Sequence, residues 1–231
     1  IAAFDKEMSH LADLILEPIL PDHAMYAEAV EKAQPGRFLL DLKRSGALKA
    51  RGVQQGHLED RSIDGPGFNY FARVADLVSI RCAFFRPDRN KRRIMTLDVS
   101  HAFLQSAKFA PSDPPRFIKF RNPITKETLY FLQDGPIYGS GSAPARWQNM
   151  TLAPWLQEIG FIRDANDPCI YRHVSRDINV CVYVDDSLID VDSDSAAGEW
   201  FIQAFSQRFK CNDPEFLEVG TPIDFLGMDL H

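Results

Sequence analysis

The stretch INVCVYVDDSLIDV, residues 178–191, decides the fold prediction for this chain. Two runs rich in β-branched residues, 178–184 and 188–191, meet at Asp185-Asp186-Ser187. Two such runs joined by a short polar segment are typical of a β-hairpin. The sequence therefore predicts two adjacent carboxylates at a hairpin tip with apolar strand on both sides.

These two carboxylates favour a metal site. Like charges this close raise one another's pKa unless a cation compensates them, and Mg²⁺ prefers one or two carboxylates plus substrate phosphates. Asp98 lies near the end of another predicted strand, 94–99, and supplies a third acid. Acids from two strands of one sheet would hold two metals ~3.5–4 Å apart, the arrangement used for in-line phosphoryl transfer. The alternative is that Asp185-Asp186 is ordinary turn chemistry, since Asp is common in turns.

The rest of the chain mixes helical and strand patterns in an irregular order. Helices are predicted within the first 35 residues, over 71–85, over 147–159 with a kink at Pro154, and over about 195–209. Strand patterns predict a hairpin from 38–40 and 48–53 around Ser45-Gly46, and paired strands at 117–120 and 128–132. This order indicates an α+β fold with an antiparallel sheet, in contrast to a regular βαβ array.

Composition restricts the function classes. The four cysteines form no CxxC pair, which argues against structural zinc and favours a reducing, intracellular compartment. No apolar run is long enough for a transmembrane helix, so no membrane partner is expected. The net charge of −6 by itself argues against nucleic acid.

Two charged runs modify that view. The basic run is either a nucleic-acid contact or a solvated connector, and its members are Arg86, Arg89, Lys91, Arg92 and Arg93. The acidic run follows the apolar strand, and its members are Asp185, Asp186, Asp190, Asp192 and Asp194.

Six segments in register resemble the reverse transcriptase of Copia-type retrotransposons. Tyr183-Val184-Asp185-Asp186 is the YxDD box of reverse transcriptases, and residues 98–104 are similar to the DVxxAFL segment. The other matching segments are Lys49-Ala50-Arg51 with Gly56, Tyr138-Gly139 with Ala143-Pro144 and Trp147, Gly160-Phe161 with Asp167 and 169–171, and 225–228.

The resemblance implies a role for each matching residue. Asp98, Asp185 and Asp186 would be catalytic and, together with Val99, would hold two Mg²⁺ ions, for which Mn²⁺ could substitute. The positions implied to bind the nucleotide are Lys49, Arg51, Phe103 and Tyr138, and those implied to bind the primer are Tyr183, Val184, Phe225, Leu226 and Gly227.

Simpler interpretations of several of these residues stay open. Lys49 and Arg51 would otherwise be an exposed pair on a hairpin. Phe103, whose ring would crowd a ribose 2′-hydroxyl, would otherwise be a core residue. Residues 225–227 would otherwise be an ordinary hairpin with a glycine.

The resemblance also implies a right-hand polymerase fold. A helical lead-in would occupy 1–35, fingers 36–74 and 113–145, and a palm with an antiparallel sheet 75–112 and 146–231. The thumb is expected to be absent or truncated. The implied partners are an RNA or DNA template with its primer, deoxynucleoside triphosphates, and the integrase and RNase H segments of a polyprotein. The implied location is a virus-like particle in the cytoplasm.

The chain departs from the family pattern at Ser140-Gly141-Ser142, which replaces the usual residues before Ala143-Pro144. Two rival functions follow for a chain with these acids. One is an inactive retroelement remnant that binds nucleic acid or has a structural role. The other is a two-metal nuclease or phosphatase, which would give Lys49, Arg51 and Phe103 no role.

Overall fold

A computed structural model describes residues 2–14, 16–42, 46–84, 91–193 and 195–230. The chain divides into two compact units. The first comprises Ile1–Phe71 and Phe103–Trp147, and the second comprises Ala72–Ala102 and Gln148–His231. Helices and strands occur in both units, so the α+β prediction is confirmed.

The helices and strands have the following bounds. The α-helices are α1 (Ala2–Leu14), α2 (Tyr26–Lys32), α3 (Leu77–Phe84), α4 (Ala143–Trp147), α5 (Ala153–Glu158) and α6 (Ala197–Arg208). The strands are β1 (Leu16–Ile19), β2 (Gln34–Leu42), β3 (Leu48–Gln54), β4 (Arg92–Asp98), β5 (Arg116–Arg121), β6 (Thr128–Gln133), β7 (Ile162–Arg163), β8 (Ile170–His173), β9 (Ile178–Tyr183), β10 (Asp186–Asp192), β11 (Glu215–Phe216), β12 (Ile223–Phe225) and β13 (Met228–Leu230).

The first unit contains a five-stranded mixed sheet in the order β1-β6-β5-β2-β3. Helix α1 packs on β3, and this close contact requires a glycine on the strand. A Cβ atom at Gly52 would lie 2.6 Å from a methyl group of Leu11, which is fully buried. Phe4 of the same helix packs edge to face against Phe38 of β2, with ring centroids 4.6 Å apart.

The second unit contains a six-stranded antiparallel sheet in the order β11-β4-β10-β9-β8-β7. Side chains alternate between the two faces of a strand, so Leu188 and Val191 of β10 point to opposite faces. Leu188 joins a core cluster with Ile80 and Phe84 of α3. Val191 lies against Gly198 of α6. The two helices therefore cover opposite faces of this sheet.

Helix α6 docks through aromatic residues that recur every four positions. Phe201, Phe205 and Phe209 are buried, and all three rings contact Trp155 of α5. The spacing by four places Phe201 and Phe205 on one face of the helix, and Phe209 follows directly after its last residue.

Several predicted elements differ from the structure. Strand β1 lies inside the region predicted to be helical, because Leu16 and Ile19 are buried where β1 pairs with β6. Helix α3 begins at Leu77 rather than at residue 71. Asp76 fixes this start, since its carboxylate accepts a hydrogen bond from the backbone N–H of Val78. Residues 43–45, which include the predicted Ser45 turn, lie outside the described part of the chain.

The helix predicted over 147–159 is interrupted before Pro154. A π-helical segment, Gln148–Leu152, separates α4 from α5, and Pro154 occupies the first turn of α5. Proline lacks an N–H group and clashes with the carbonyl four residues earlier, so a wider turn relieves the clash. The predicted kink is thus a change of helix type. In the described ranges, every helix is too short or too polar to span a bilayer.

Candidate active site

Asp98 and Asp186 lie directly opposite each other on adjacent strands. Strands β4 and β10 pair antiparallel over seven residues, and Asp186 is the register partner of Asp98. Directly opposed residues in an antiparallel pair have Cα atoms about 4.5–5.5 Å apart, and their side chains share one face. The strand register alone brings together two acids that are 88 positions apart in the sequence.

The third acid, Asp185, lies in a tight turn between β9 and β10. Tyr183 pairs with Asp186, so the loop consists of Val184 and Asp185. Val184 has a φ of 58°, and a positive φ at the first loop position is what a type II′ hairpin turn requires. A β-branched residue there is strained, and such strain, about 1–3 kcal/mol, is typical of functional sites.

This geometry corrects the predicted position of the turn. The sequence suggested Asp185-Asp186-Ser187 as the connection, but Asp186 begins β10 and Ser187 is buried in the sheet. The turn is also attached to the neighbouring strand, because the backbone N–H of Val99 donates to the carbonyl oxygen of Asp185 at 3.0 Å. Val99 therefore helps to place the tip next to Asp98.

The electrostatics of the site are unfavourable without a cation. The pKa of Asp186 is raised from its ordinary 3.8 to about 6, and burial is the largest cause. Negative charge on neighbouring carboxylates adds to the shift, in the order Asp185, Asp98 and Asp224. The sequence had predicted repulsion between acids, whereas the structure makes burial the larger effect.

The donor set suits a hard divalent cation. It consists of carboxylate oxygens, which Mg²⁺ and Mn²⁺ prefer over nitrogen or sulfur ligands. As the side chains stand, the carboxylates of Asp98, Asp185 and Asp186 do not converge on one point. If one oxygen is taken from each residue, the three oxygens are never all within 4.8 Å of one another. Binding of ions by all three acids therefore requires rotation of at least one of these side chains, which the backbone register permits.

The predicted primer-binding residues lie on two hairpins of the second unit. Leu226 and Gly227 form the turn between β12 and β13, and both have positive φ, as a type I′ turn requires. Phe225 is buried in the same core cluster as Leu188, and Tyr183 and Leu226 pack partly buried against that cluster. The side chain of Phe225 therefore supports the hairpin from within the core.

The four predicted nucleotide-binding residues all belong to the first unit. Lys49 and Arg51 lie two residues apart on β3, and Arg51 pairs with Asp41 of β2 at 2.7 Å in an exposed position. The Phe103 and Tyr138 rings contact each other with centroids 5.6 Å apart. The backbone carbonyl of Tyr138 accepts a hydrogen bond from the N–H of Gln54 at the end of β3.

In the described part of the basic run, residues 91–93, one arginine is enclosed and does not lie on the surface. Arg92 is buried, and its guanidinium forms a bidentate pair with Asp190 and a second pair with Asp177. Both simple interpretations of Arg92, a nucleic-acid contact and a solvated connector, were wrong, because sheet pairing encloses it. Arg86 and Arg89 of the basic run and Asp194 of the acidic run lie outside the described residues.

Two residues near the acids were missed by sequence reasoning. Asn212 donates a hydrogen bond from its side chain to Asp98, and Asp224 contributes charge at Asp186. Asn212-Asp213-Pro214 has the composition of a turn, and Asp224 precedes the 225–228 segment. Neither pattern carried a signal for a site, since both residue types are common in connections.

The comparison with protein families yields one match of broad extent. Residues 31–231 match the family model described as reverse transcriptase (RNA-dependent DNA polymerase), the family of Copia-type enzymes. The match covers the second unit, the first unit from residue 31 onward, and every residue that the sequence assigned to metal, nucleotide or primer.

Proposed function

We propose that this chain, which belongs to the Copia-type family of reverse transcriptases, adds deoxynucleotides to the 3′ end of a primer paired with an RNA or DNA template. The family as a whole supports this activity in general terms. The observation that supports it for this chain is the register of β4 and β10. This register sets Asp98 opposite Asp186, with Asp185 in the adjoining turn.

In this proposal the three aspartates hold the metals. Asp98, Asp185 and Asp186 would bind two Mg²⁺ ions with the backbone carbonyl of Val99 as a further oxygen donor. The bound ions would lower the pKa of the primer hydroxyl and stabilise charge on the triphosphate. The protein contributes position, because its strands fix the acids relative to one another before substrate arrives.

The other predicted residues would orient the substrates. Lys49 and Arg51 are suited to charge-assisted hydrogen bonds with phosphate oxygens, which are stronger than bonds between neutral groups. Phe103 would face the sugar, supported by the ring of Tyr138. Tyr183, Val184, Leu226 and Gly227 would contact the primer, and Phe225 would hold their hairpin from the core.

The assignment of the two units to polymerase subdomains follows from the same proposal. The first unit would contain the fingers and the second the palm, whose antiparallel sheet carries the acids. By family resemblance, the domain would act beside integrase and RNase H segments of one polyprotein, in a cytoplasmic virus-like particle.

Primer extension tests the proposed activity. Purified protein is given an RNA template with a DNA primer, deoxynucleoside triphosphates and Mg²⁺, and Asp185→Asn is compared with the wild type. We expect a loss of at least about 100-fold in extension rate, because the substitution removes a ligand charge while keeping the side-chain shape.

The matched control is Asp192→Asn, at the far end of strand β10, which begins directly after Asp185. It should extend primers at the wild-type rate. Equal extension by Asp185→Asn and the wild type would contradict the catalytic assignment. Hydrolysis of nucleic acid without nucleotide incorporation would instead support a two-metal nuclease.

A further inference from the structure

A short segment after α6 lies beside Asp98 on the side opposite β10. Val99 and Cys211 form an isolated antiparallel bridge, and the N–H of Ser100 donates to the carbonyl of Lys210 at 2.9 Å. The N–H of Asn212 donates to the carbonyl of Asp98 at 3.0 Å. Asp98 thus lies between Asp186 on one neighbouring strand and Asn212 on the other side.

The side chain of Asn212 contacts the carboxylate itself. Its Nδ2 donates to Oδ2 of Asp98 at 2.6 Å. The Oγ of Ser100 donates to Oδ1 of Asn212 at 3.3 Å. The amide nitrogen faces Asp98 because an ionised carboxylate can only accept hydrogen bonds. One oxygen of Asp98 therefore accepts a hydrogen bond from a neutral donor.

The segment that carries Asn212 is anchored on both sides. Before it, the buried ring of Phe209 packs against Trp155 and Phe205, with centroids 5.1 and 5.3 Å away. After it, β11 pairs with β4, and the N–H of Leu217 donates to the carbonyl of Ile94. Asn212 itself is solvent-exposed, so the anchors on either side, and not burial, hold its amide in place.

We infer that Asn212 is a positioning residue for Asp98: its amide holds Oδ2 and so orients the carboxylate for binding a divalent cation. This inference rests on the proposed function of the acids. A neutral donor suits the role because it orients a carboxylate without the positive charge that would compete with a metal. Residues that orient metal ligands typically contribute a factor of about 10–100 in metal affinity or activity.

The test measures metal binding without catalysis as well as primer extension. Mn²⁺ serves as the probe, and its dissociation constant is measured by electron paramagnetic resonance in the absence of nucleotide. Asn212→Ala should raise that constant, and the Mg²⁺ concentration for half-maximal extension, by about 10-fold or more. The KM for the nucleotide at saturating Mg²⁺ should change much less.

Two further variants keep the test decisive. Asn212→Leu keeps the approximate size but removes the donor, so it should raise the Mn²⁺ dissociation constant about as much as Asn212→Ala does. Ser100→Ala releases the amide without altering Asn212 and should give a smaller effect in the same direction. Asn166→Ala, an exposed asparagine of the same unit, should match the wild type. Circular dichroism establishes that each variant is folded.

The outcomes separate this inference from the proposed function. Wild-type extension together with an unchanged Mn²⁺ constant and Mg²⁺ requirement in folded Asn212→Ala would overturn the role of Asn212 alone. A wild-type protein that fails to extend primers yet binds Mn²⁺ more tightly than Asn212→Ala would overturn the polymerase assignment and still support the positioning role.

Discussion

At the scale of single residues, two aspartates of one strand show how surroundings decide a role. Asp186 and Asp190 both belong to β10 and share one face. Asp190 is fully buried but receives hydrogen bonds from Arg92 and Asn179, so its charge is compensated. Asp186 is surrounded by other carboxylates instead, which raises its pKa to about 6. The surroundings of Asp186, unlike those of Asp190, are therefore of the kind that a bound cation would stabilise.

A residue-scale prediction concerns discrimination between sugars. Phe103 is only partly buried, so it is not a plain core residue, and its ring rests on that of Tyr138. In Phe103→Val the smaller side chain should admit a 2′-hydroxyl. We expect the ratio of kcat/KM for dGTP to that for GTP to fall by about 10–100-fold.

The control for this prediction is Phe68→Val, another partly buried aromatic of the same unit, which packs on Tyr70 with centroids 4.8 Å apart. Its ratio of kcat/KM for dGTP to that for GTP should equal the wild-type ratio. An unchanged ratio in Phe103→Val would argue that Phe103 serves only to pack Tyr138.

At the scale of elements, the electrostatic interactions between β4 and β10 are repulsive at one end of the strand pair and attractive at the other. Asp98 and Asp186 repel each other where the two strands meet the hairpin turn. At the other end Arg92 of β4 binds Asp190 of β10 and also Asp177, which immediately precedes β9. The ion pairs at one end therefore tie together the strands that the acids at the other end push apart.

An element-scale prediction follows for stability. Arg92→Met leaves the buried carboxylate of Asp190 without its counter-charge. We expect the free energy of unfolding to fall by about 3–5 kcal/mol, as measured by urea denaturation. Arg92→Met combined with Asp190→Asn should recover part of this loss, because the second change removes the buried charge.

Arg172→Met provides the comparison. Arg172 also pairs with Asp177, but at 3.8 Å and with about half of its side chain exposed. Exposed pairs contribute about 0–1 kcal/mol, so this variant should remain close to the wild type. A similar loss for both arginines would mean that burial of the Arg92 pair does not set its contribution.

At the scale of the whole molecule, charge is divided unequally between the two units. The first unit has equal numbers of acidic and basic residues, so the net charge of −6 belongs to the second, which carries the three site acids. A unit with this charge repels phosphate until cations bind. The net acidity, which by itself argued against a nucleic-acid partner, is instead consistent with a unit that binds divalent ions.

A whole-molecule prediction concerns stabilisation by metal. Ligands that bind the folded state alone stabilise it, by about 2.7 kcal/mol at a concentration 100 times the dissociation constant. We expect Mg²⁺ to raise the thermal unfolding midpoint in a saturable manner. The double variant Asp98→Asn with Asp185→Asn should lose most of this rise.

Sodium chloride at matched ionic strength separates specific binding from screening of surface charge. It should reproduce little of the shift. An equal shift from sodium chloride, or from Mg²⁺ in the double variant, would contradict a specific site at these acids.

The sequence by itself determined the family, the α+β class and the hairpin that carries Asp185, and it predicted the three acids of the proposed site. These features are encoded locally, because alternation of apolar residues and short motifs report on neighbouring positions. Family membership is confirmed by the match over residues 31–231.

Only the tertiary structure decided which charges are enclosed and which acids face one another. Arg92 and Asp190, or Asp98 and Asn212, are distant in sequence and meet through strand pairing. Burial and long-range pairing set the energy of a charge, and neither is written in the residues beside it. For that reason the sequence predicted three acids for a metal site, whereas the register of β4 and β10 decided that Asp98 lies opposite Asp186, and the folded chain revealed Asn212 beside Asp98.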